Sequence, residues 1–198
     1  MSFEYKKIVL ATHNAGKVKE IQNLLAPYDI EIVSAKDFNL AEPEETEDTF
    51  IGNATIKARF VQNACKLPAL ADDSGLCVEA LNGNPGVYSA DWAEGEDGNR
   101  DFQRAMQRVE NELTGQDNRR AYFTSLLVLA GTDGELMIAE GRIDGTLVWP
   151  PRGQNGFGYD AMFVPEGETR TFGEMTLEEK KKFSHRARAF ENLTEKYF

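Results

Sequence analysis

Lys7-Ile8-Val9-Leu10-Ala11-Thr12-His13-Asn14-Ala15-Gly16-Lys17-Val18-Lys19-Glu20-Ile21-Gln22-Asn23-Leu24-Leu25 changes its hydrophobic period halfway along. Ile8, Val9 and Leu10 are consecutive, the pattern of a short strand buried on both faces, so residues 7–12 are expected to form a strand. From Lys17 the apolar positions fall at Val18, Ile21, Leu24 and Leu25, one face of a helix, and Pro27 stands beyond its end. Residues 14–16 form the turn between them. A strand, a turn and a helix in this order open an α/β fold.

The rest of the chain extends that opening. Residues 30–34 read as a second strand and 37–48 as an acidic loop. Asp48 is expected to cap a helix running to about Cys65, with Phe50, Ala54, Ala58 and Val61 on one face. Residues 68–71 are strand-like and run into Asp72-Asp73-Ser74-Gly75, which reads as a turn; residues 76–81 alternate as another strand. Gly83, Pro85 and Gly86 make 82–88 a loop, and 101–113 is a helix. Long strands at 120–130 and 136–148 flank Thr132-Asp133-Gly134, a hairpin signal. Residues 150–158 form a Gly/Pro-rich loop, and 176–182 and 184–197 are helical. The expected fold is α/β, a long mixed β-sheet flanked by helices. No repeat or long linker interrupts the 198 residues, so one domain over 1–198 is expected.

The net charge of −11 disfavours nucleic acid and anionic membranes as partners. No apolar run approaches the roughly 18 residues of a membrane span, and 8–11 is too short for a signal-peptide core. A cytoplasmic protein is expected, with Cys65 and Cys77 reduced. A small anionic substrate remains compatible with the charge, provided backbone N–H groups, a few cations and a divalent metal build its site locally.

Five stretches offer chemistry. Thr12, His13, Asn14, Ala15, Gly16 and Lys17 lie between strand and helix, where N–H groups and the helix dipole meet an anion; the alternative is a plain helix cap, since no Walker A spacing is present. Asp72 and Asp73 can hold a divalent cation and orient a water, or can cap a turn. Glu42, Glu44, Glu45, Glu47 and Asp48 form either a solvated loop or a source of one further metal ligand, Glu44 or Glu45, while Asn53 and Lys57 sit one turn apart on the following helix. Phe157, Gly158, Tyr159 and Asp160 end a Gly-rich aromatic loop, suited to stacking on a purine or to packing a hairpin exit. Lys180 is followed by Ser184-His185-Arg186 at a helix start, where His185 and Arg186 either donate together to a base keto oxygen or form a cap with a solvated arginine.

The order of these motifs resembles the inosine triphosphate pyrophosphatase, or Ham1-like, family. The resemblance runs from Leu10-Ala11-Thr12-His13-Asn14-Ala15-Gly16-Lys17 through Ala71-Asp72-Asp73-Ser74-Gly75-Leu76 and Gly83-Asn84-Pro85-Gly86-Val87-Tyr88-Ser89-Ala90. It continues through Gly156-Phe157-Gly158-Tyr159-Asp160 to Ser184-His185-Arg186. It implies hydrolysis of ITP, dITP and XTP to monophosphate and pyrophosphate with Mg²⁺, two lobes with a substrate cleft between them, and a homodimer. By position, it implies triphosphate contacts from Thr12 to Lys17 and at Lys57. Asp73 corresponds to the proton acceptor and metal ligand, with Asp72 and Ser74 beside it, and Glu44 or Glu45 to a second metal ligand. Phe157, Gly158, Tyr159, Asp160, Lys180, His185 and Arg186 correspond to base and substrate contacts. The chain departs from the pattern at His13, where many members have Gly, and at Ala161, where proline is common. Two rival functions are a nucleotide-binding sensor without turnover and a phosphotransferase.

Overall fold

The computed structural model describes residues 5–95 and 99–197. Six strands form one mixed sheet in the order β2-β1-β3-β4-β5-β6: β1 Lys7–Leu10, β2 Glu31–Ser34, β3 Ala69–Val78, β4 Arg120–Ala130, β5 Leu136–Leu147 and β6 Phe163–Pro165. β1 runs parallel to β2, with Lys7 opposite Glu31, and parallel to β3, with Val9 opposite Ala69. β5 and β6 are antiparallel. Among the described residues, five helices accompany the sheet: α1 Ala15–Leu25, α2 Phe50–Cys65, α3 Phe102–Glu112, α4 Leu177–Lys181 and α5 His185–Tyr197. The expected α/β mixed sheet is therefore the one observed.

The chain divides into two compact units, the first comprising Met1–Asp73, Ser125–Gly141 and Arg186–Phe198 and the second Ser74–Thr124 and Arg142–His185. In the first unit the strand period of two sorts side chains into two apolar clusters. Leu70, Leu127 and Leu129 pack with Ile21 and Leu25 of α1 and Ala189, Phe190 and Leu193 of α5. Their neighbours Ala69, Ala71, Val128 and Ala130 pack with Ala54, Ala58 and Val61 of α2. Each fully buried Leu or Ile here contributes about 1.5–3 kcal/mol. The second unit is built on Leu76, Val78, Phe123, Leu147, Phe163 and Phe172, with Met106 and Val109 of α3. Phe123 and Phe163 meet edge to face at 4.8 Å.

Three local expectations are corrected. Asp72, Asp73, Ser74 and Gly75 form no turn but lie inside the continuous strand β3. Their turn propensity yields to tertiary partners, Arg186, Lys17 and Ser125 on Asp72 and Lys57 on one oxygen of Asp73. Residues 79–81 make a 3₁₀ turn instead of extending a strand. The cap of α2 is Thr49, whose hydroxyl accepts the Gly52 N–H at 3.2 Å, not Asp48. Both cysteines are free thiols. Among the described residues, no helix is long and apolar enough to cross a membrane.

Replacing Thr49 by Ala is expected to cost about 1 kcal/mol of stability. Asp48→Ala should stay within about 0.5 kcal/mol of the parent. Urea unfolding of the two variants measures the difference.

Candidate active site

Asp72 and Asp73 are adjacent in β3, so they emerge on opposite faces of the sheet. Asp72 shares its face with Leu70 and meets α1 and α5. Its Oδ2 is 2.9 Å from the Lys17 Nζ and accepts from Arg186 Nη2 at 3.0 Å, and its Oδ1 accepts from the Ser125 hydroxyl at 2.5 Å. Arg186 also donates to Glu20, one turn beyond Lys17 on α1. Arg186 is 1% exposed. Burial alone would raise the Asp72 pKa, but Arg186 and Lys17, with Ser125, outweigh it and hold the carboxyl well below its ordinary range.

Asp73 faces α2. Its Oδ1 accepts from Lys57 Nζ at 2.8 Å, and the same ammonium lies 3.2 Å from Glu45 Oε2. The other oxygen, Asp73 Oδ2, is buried without a hydrogen-bond partner among the described residues. Burial, with Glu45 as a nearby like charge, pushes the Asp73 pKa up despite Lys57. Lys57 is penalised by burial too, yet Asp73 and Glu45 together hold it above the ordinary lysine value. The cluster has more negative than positive charge, so the lysine gains what the aspartate loses. Asn53, one turn before Lys57, accepts the Glu47 N–H at 3.0 Å and ties down the acidic loop that carries Glu45. Glu44 is exposed.

In the turn before α1 the helix-cap reading is realised. Asn14 Oδ1 accepts the N–H groups of Gly16 at 2.9 Å and Lys17 at 3.1 Å, and Thr12 Oγ1 accepts that of Asn14 at 3.2 Å. Ala15 is exposed, and the His13 N–H donates to Glu42 at 2.8 Å. Lys17 points back along the turn and donates to the Asp72 carbonyl at 3.2 Å as well as to its carboxylate. An ammonium has three donors, so one remains.

In the second unit Asp160 Oδ2 accepts from Lys180 Nζ at 2.7 Å and from the Phe157 N–H at 2.9 Å. This closes the 157–160 turn around a buried ion pair. Gly156, at φ +73°, is required there, because a Cβ would run into the Asp160 carboxylate. Lys180 Nζ also lies 5.0 Å from the Phe157 ring centre. Phe157 and Gly158 are half-buried and border a cavity of about 580 Å³, with Phe102, Met106, Asn155 and Asp160 in its wall. Tyr159 is 2% exposed; its ring packs edge-on to Phe102 and its hydroxyl donates to the Ser89 carbonyl at 2.9 Å. The Ser89 hydroxyl accepts from the Leu76 N–H of β3 at 3.0 Å and donates to Gly86. The Gly83 to Ala90 motif thus ties the aromatic turn to β3. His185 is buried and stacks on Phe123 at 4.8 Å. Ser74 is half-buried in β3.

Within the first unit the structure gathers Lys17, Asp72 and Arg186 around one centre and Lys57, Asp73 and Glu45 around another. Within the second it joins Phe157, Asp160 and Lys180. Arg186 is not a solvated arginine, and Tyr159 is not open for stacking. Glu20, Ser89 and Ser125 were missed by the sequence reading, whereas Asn53 was named there beside Lys57. Glu20 had a signal, three residues after Lys17 on the same helical face. Ser125, a small polar residue amid apolar strand, had a weaker one.

The mixed sheet with its helices is an α/β fold, and within the first unit β3 carries paired acids and bases on both of its faces. The chain matches the Ham1 family model over residues 8–196 and belongs to that family. A Brucella melitensis protein named dITP/XTP pyrophosphatase is 52% identical over 206 residues, covering 98% of this chain and 94% of the relative. A Bradyrhizobium protein of the same name is 55% identical, covering 96% and 92%. A HAM1 protein structure from Coxiella burnetii superposes with a TM-score of 0.85 at 39% identity, covering 96% of each chain. The Staphylococcus aureus Ham1 structure gives 0.84 at 33%, covering 96% and 97%.

Tyr159→Phe removes one buried hydroxyl and leaves the Ser89 carbonyl short of a donor. The expected loss is about 1–2 kcal/mol of stability by urea unfolding. A second expectation concerns α4, which carries Lys180. Glu179 is lowered to about 2, first by the Thr176 backbone N–H, then by Arg170 and the Thr176 hydroxyl. Because its folded value is depressed, its contribution is complete above the ordinary glutamate pKa and is lost as pH falls towards 2. The stability gap between the parent and Glu179→Gln should be constant from pH 7 to about 5 and close below that.

Proposed function

We propose that this chain hydrolyses the non-canonical purine nucleoside triphosphates ITP, dITP and XTP to nucleoside monophosphate and pyrophosphate, removing them from the nucleotide pool. Asp73 carries the reading: a buried carboxylate with one oxygen on Lys57 and the other with no hydrogen-bond partner among the described residues. The named relatives, more than half identical to this chain over nearly its whole length, support the reaction class.

The donor set suits magnesium. Among the described residues there is no group of three or more His, Cys, Asp or Glu side chains that could cage a metal. Magnesium needs no such cage, since it keeps waters and phosphate oxygens and takes only one or two protein carboxylates. Asp73 and Glu45 would supply those two; Glu45, not Glu44, reaches Lys57 beside Asp73. Bound there, Mg²⁺ would neutralise phosphate charge and acidify a water.

In the proposed reaction Asp73 Oδ2 accepts a proton from water as the water oxygen bonds to the α-phosphorus. The bond from that phosphorus to its bridging oxygen breaks, and the oxygen leaves with pyrophosphate. The remaining Lys17 donor and Lys57 meet the charge on the leaving group. Asp72, committed to Arg186, Lys17 and Ser125, orients Lys17 instead of taking a proton. On the base side, Phe157 offers the stacking face, with Gly158 beside it. Tyr159, Asp160 and Arg186 act by holding neighbours in place. Lys180 and His185 supply donors that favour a 6-keto oxygen and disfavour a 6-amino group, whose mismatch leaves buried donors unpaired. Cytoplasmic location and a homodimer complete the proposal.

The test is a panel of ITP, XTP, dITP, GTP and ATP with Mg²⁺, scored for pyrophosphate. ITP, XTP and dITP should outpace ATP. Asp73→Asn should lower turnover by about 10²–10⁴-fold while still binding ITP. Orthophosphate, or a phosphorylated acceptor with no pyrophosphate, would sink the assignment.

A further inference from the structure

The N–H groups of the turn before α1 have two kinds of acceptor. Those of Asn14, Gly16 and Lys17 are held by the turn's own side chains, Thr12 and Asn14, two or three residues away. The His13 N–H is held by Glu42, 29 residues further along, at 2.8 Å. Glu42 is exposed, and this bond is its only tether among the described residues. A carboxylate accepting an N–H at the mouth of a strand-to-helix turn stands where an anionic phosphate oxygen would stand. A second polar atom of the same residue, His13 Nε2, is buried without a hydrogen-bond partner among the described residues.

We propose that Glu42 is an affinity-determining residue, a built-in competitor of the substrate's phosphate for the His13 N–H. The inference rests on reading the turn as the phosphate site. Glu42 and a phosphate oxygen cannot share one N–H, and their like charges repel. Phosphate binding therefore requires Glu42 to leave, and apparent affinity falls by the fraction of molecules in which the carboxylate is seated. The same competition weakens the hold on pyrophosphate and so favours product release. His13 itself takes part through its backbone, which any residue at that position supplies; Glu42 takes part through its side chain.

Calorimetric titration of the full chain with inorganic pyrophosphate and Mg²⁺ tests the proposal. Glu42→Ala should bind pyrophosphate about three- to tenfold more tightly, the range set by one exposed charge-assisted hydrogen bond. Glu42→Gln should tighten binding too, since a neutral amide does not repel phosphate. Unchanged or weaker binding by Glu42→Ala overturns the proposal. Asp48→Asn removes a nearby exposed charge that does not touch the turn; an equal gain there overturns it in favour of overall charge. Lys17→Ala separates the two levels of the argument. If it weakens binding while Glu42→Ala is silent, only the competitor falls. If both are silent, the turn is not the phosphate site and the reading beneath the proposal falls with it.

Discussion

Asp72 is fully buried in the middle of a strand, and the first unit is arranged around keeping it charged there. An isolated carboxylate in that position would be neutralised or would unfold the sheet around it. It is instead met by Arg186 from α5, Lys17 from α1 and Ser125 from β4, and Glu20 balances the second positive charge. These side chains come from three parts of the chain, so two helices and two strands must all be in register before the charges cancel. Removing one partner from such a network typically costs about 3–5 kcal/mol, because it leaves a buried charge behind. The network also fixes where the Lys17 ammonium points.

The strand period then makes the neighbouring aspartate a different chemical object. Asp73 has lysine on one oxygen only and a half-exposed glutamate nearby. Two identical side chains, adjacent in sequence, are thereby divided into a fully paired anion and a carboxylate with one oxygen left without a hydrogen-bond partner among the described residues. The division needs no special chemistry, only the alternation of a β-strand and the different helices packed on its two faces.

The second unit uses the same device on a smaller scale. Asp160 closes its own turn through the Phe157 N–H and anchors Lys180, so the aromatic ring and the ammonium are placed by one carboxylate. Tyr159 and Ser89 tether that turn to β3. Phe157, bordering the cavity, keeps the exposure that Tyr159 gives up.

The sequence by itself determined the strand–turn–helix opening, the hairpin strands, most helix positions and the family, because these depend on local periodicity and on motif order. It also identified Asp73, Lys57, Phe157 and Asp160 as residues of interest. Tertiary structure decided which partners each of them meets. Asp-Asp-Ser-Gly has turn propensity, yet it became strand interior once distant Arg186 and Lys57 met its charges. Arg186 resembled a solvated helix-start arginine and became the most deeply committed cation of its unit. Thr49 displaced Asp48 as a cap by one residue of geometry. The turn with which the chain opens was legible as a place where N–H groups gather. That Glu42 would occupy one of them was not, because loop closure across 29 residues leaves no local pattern in the sequence.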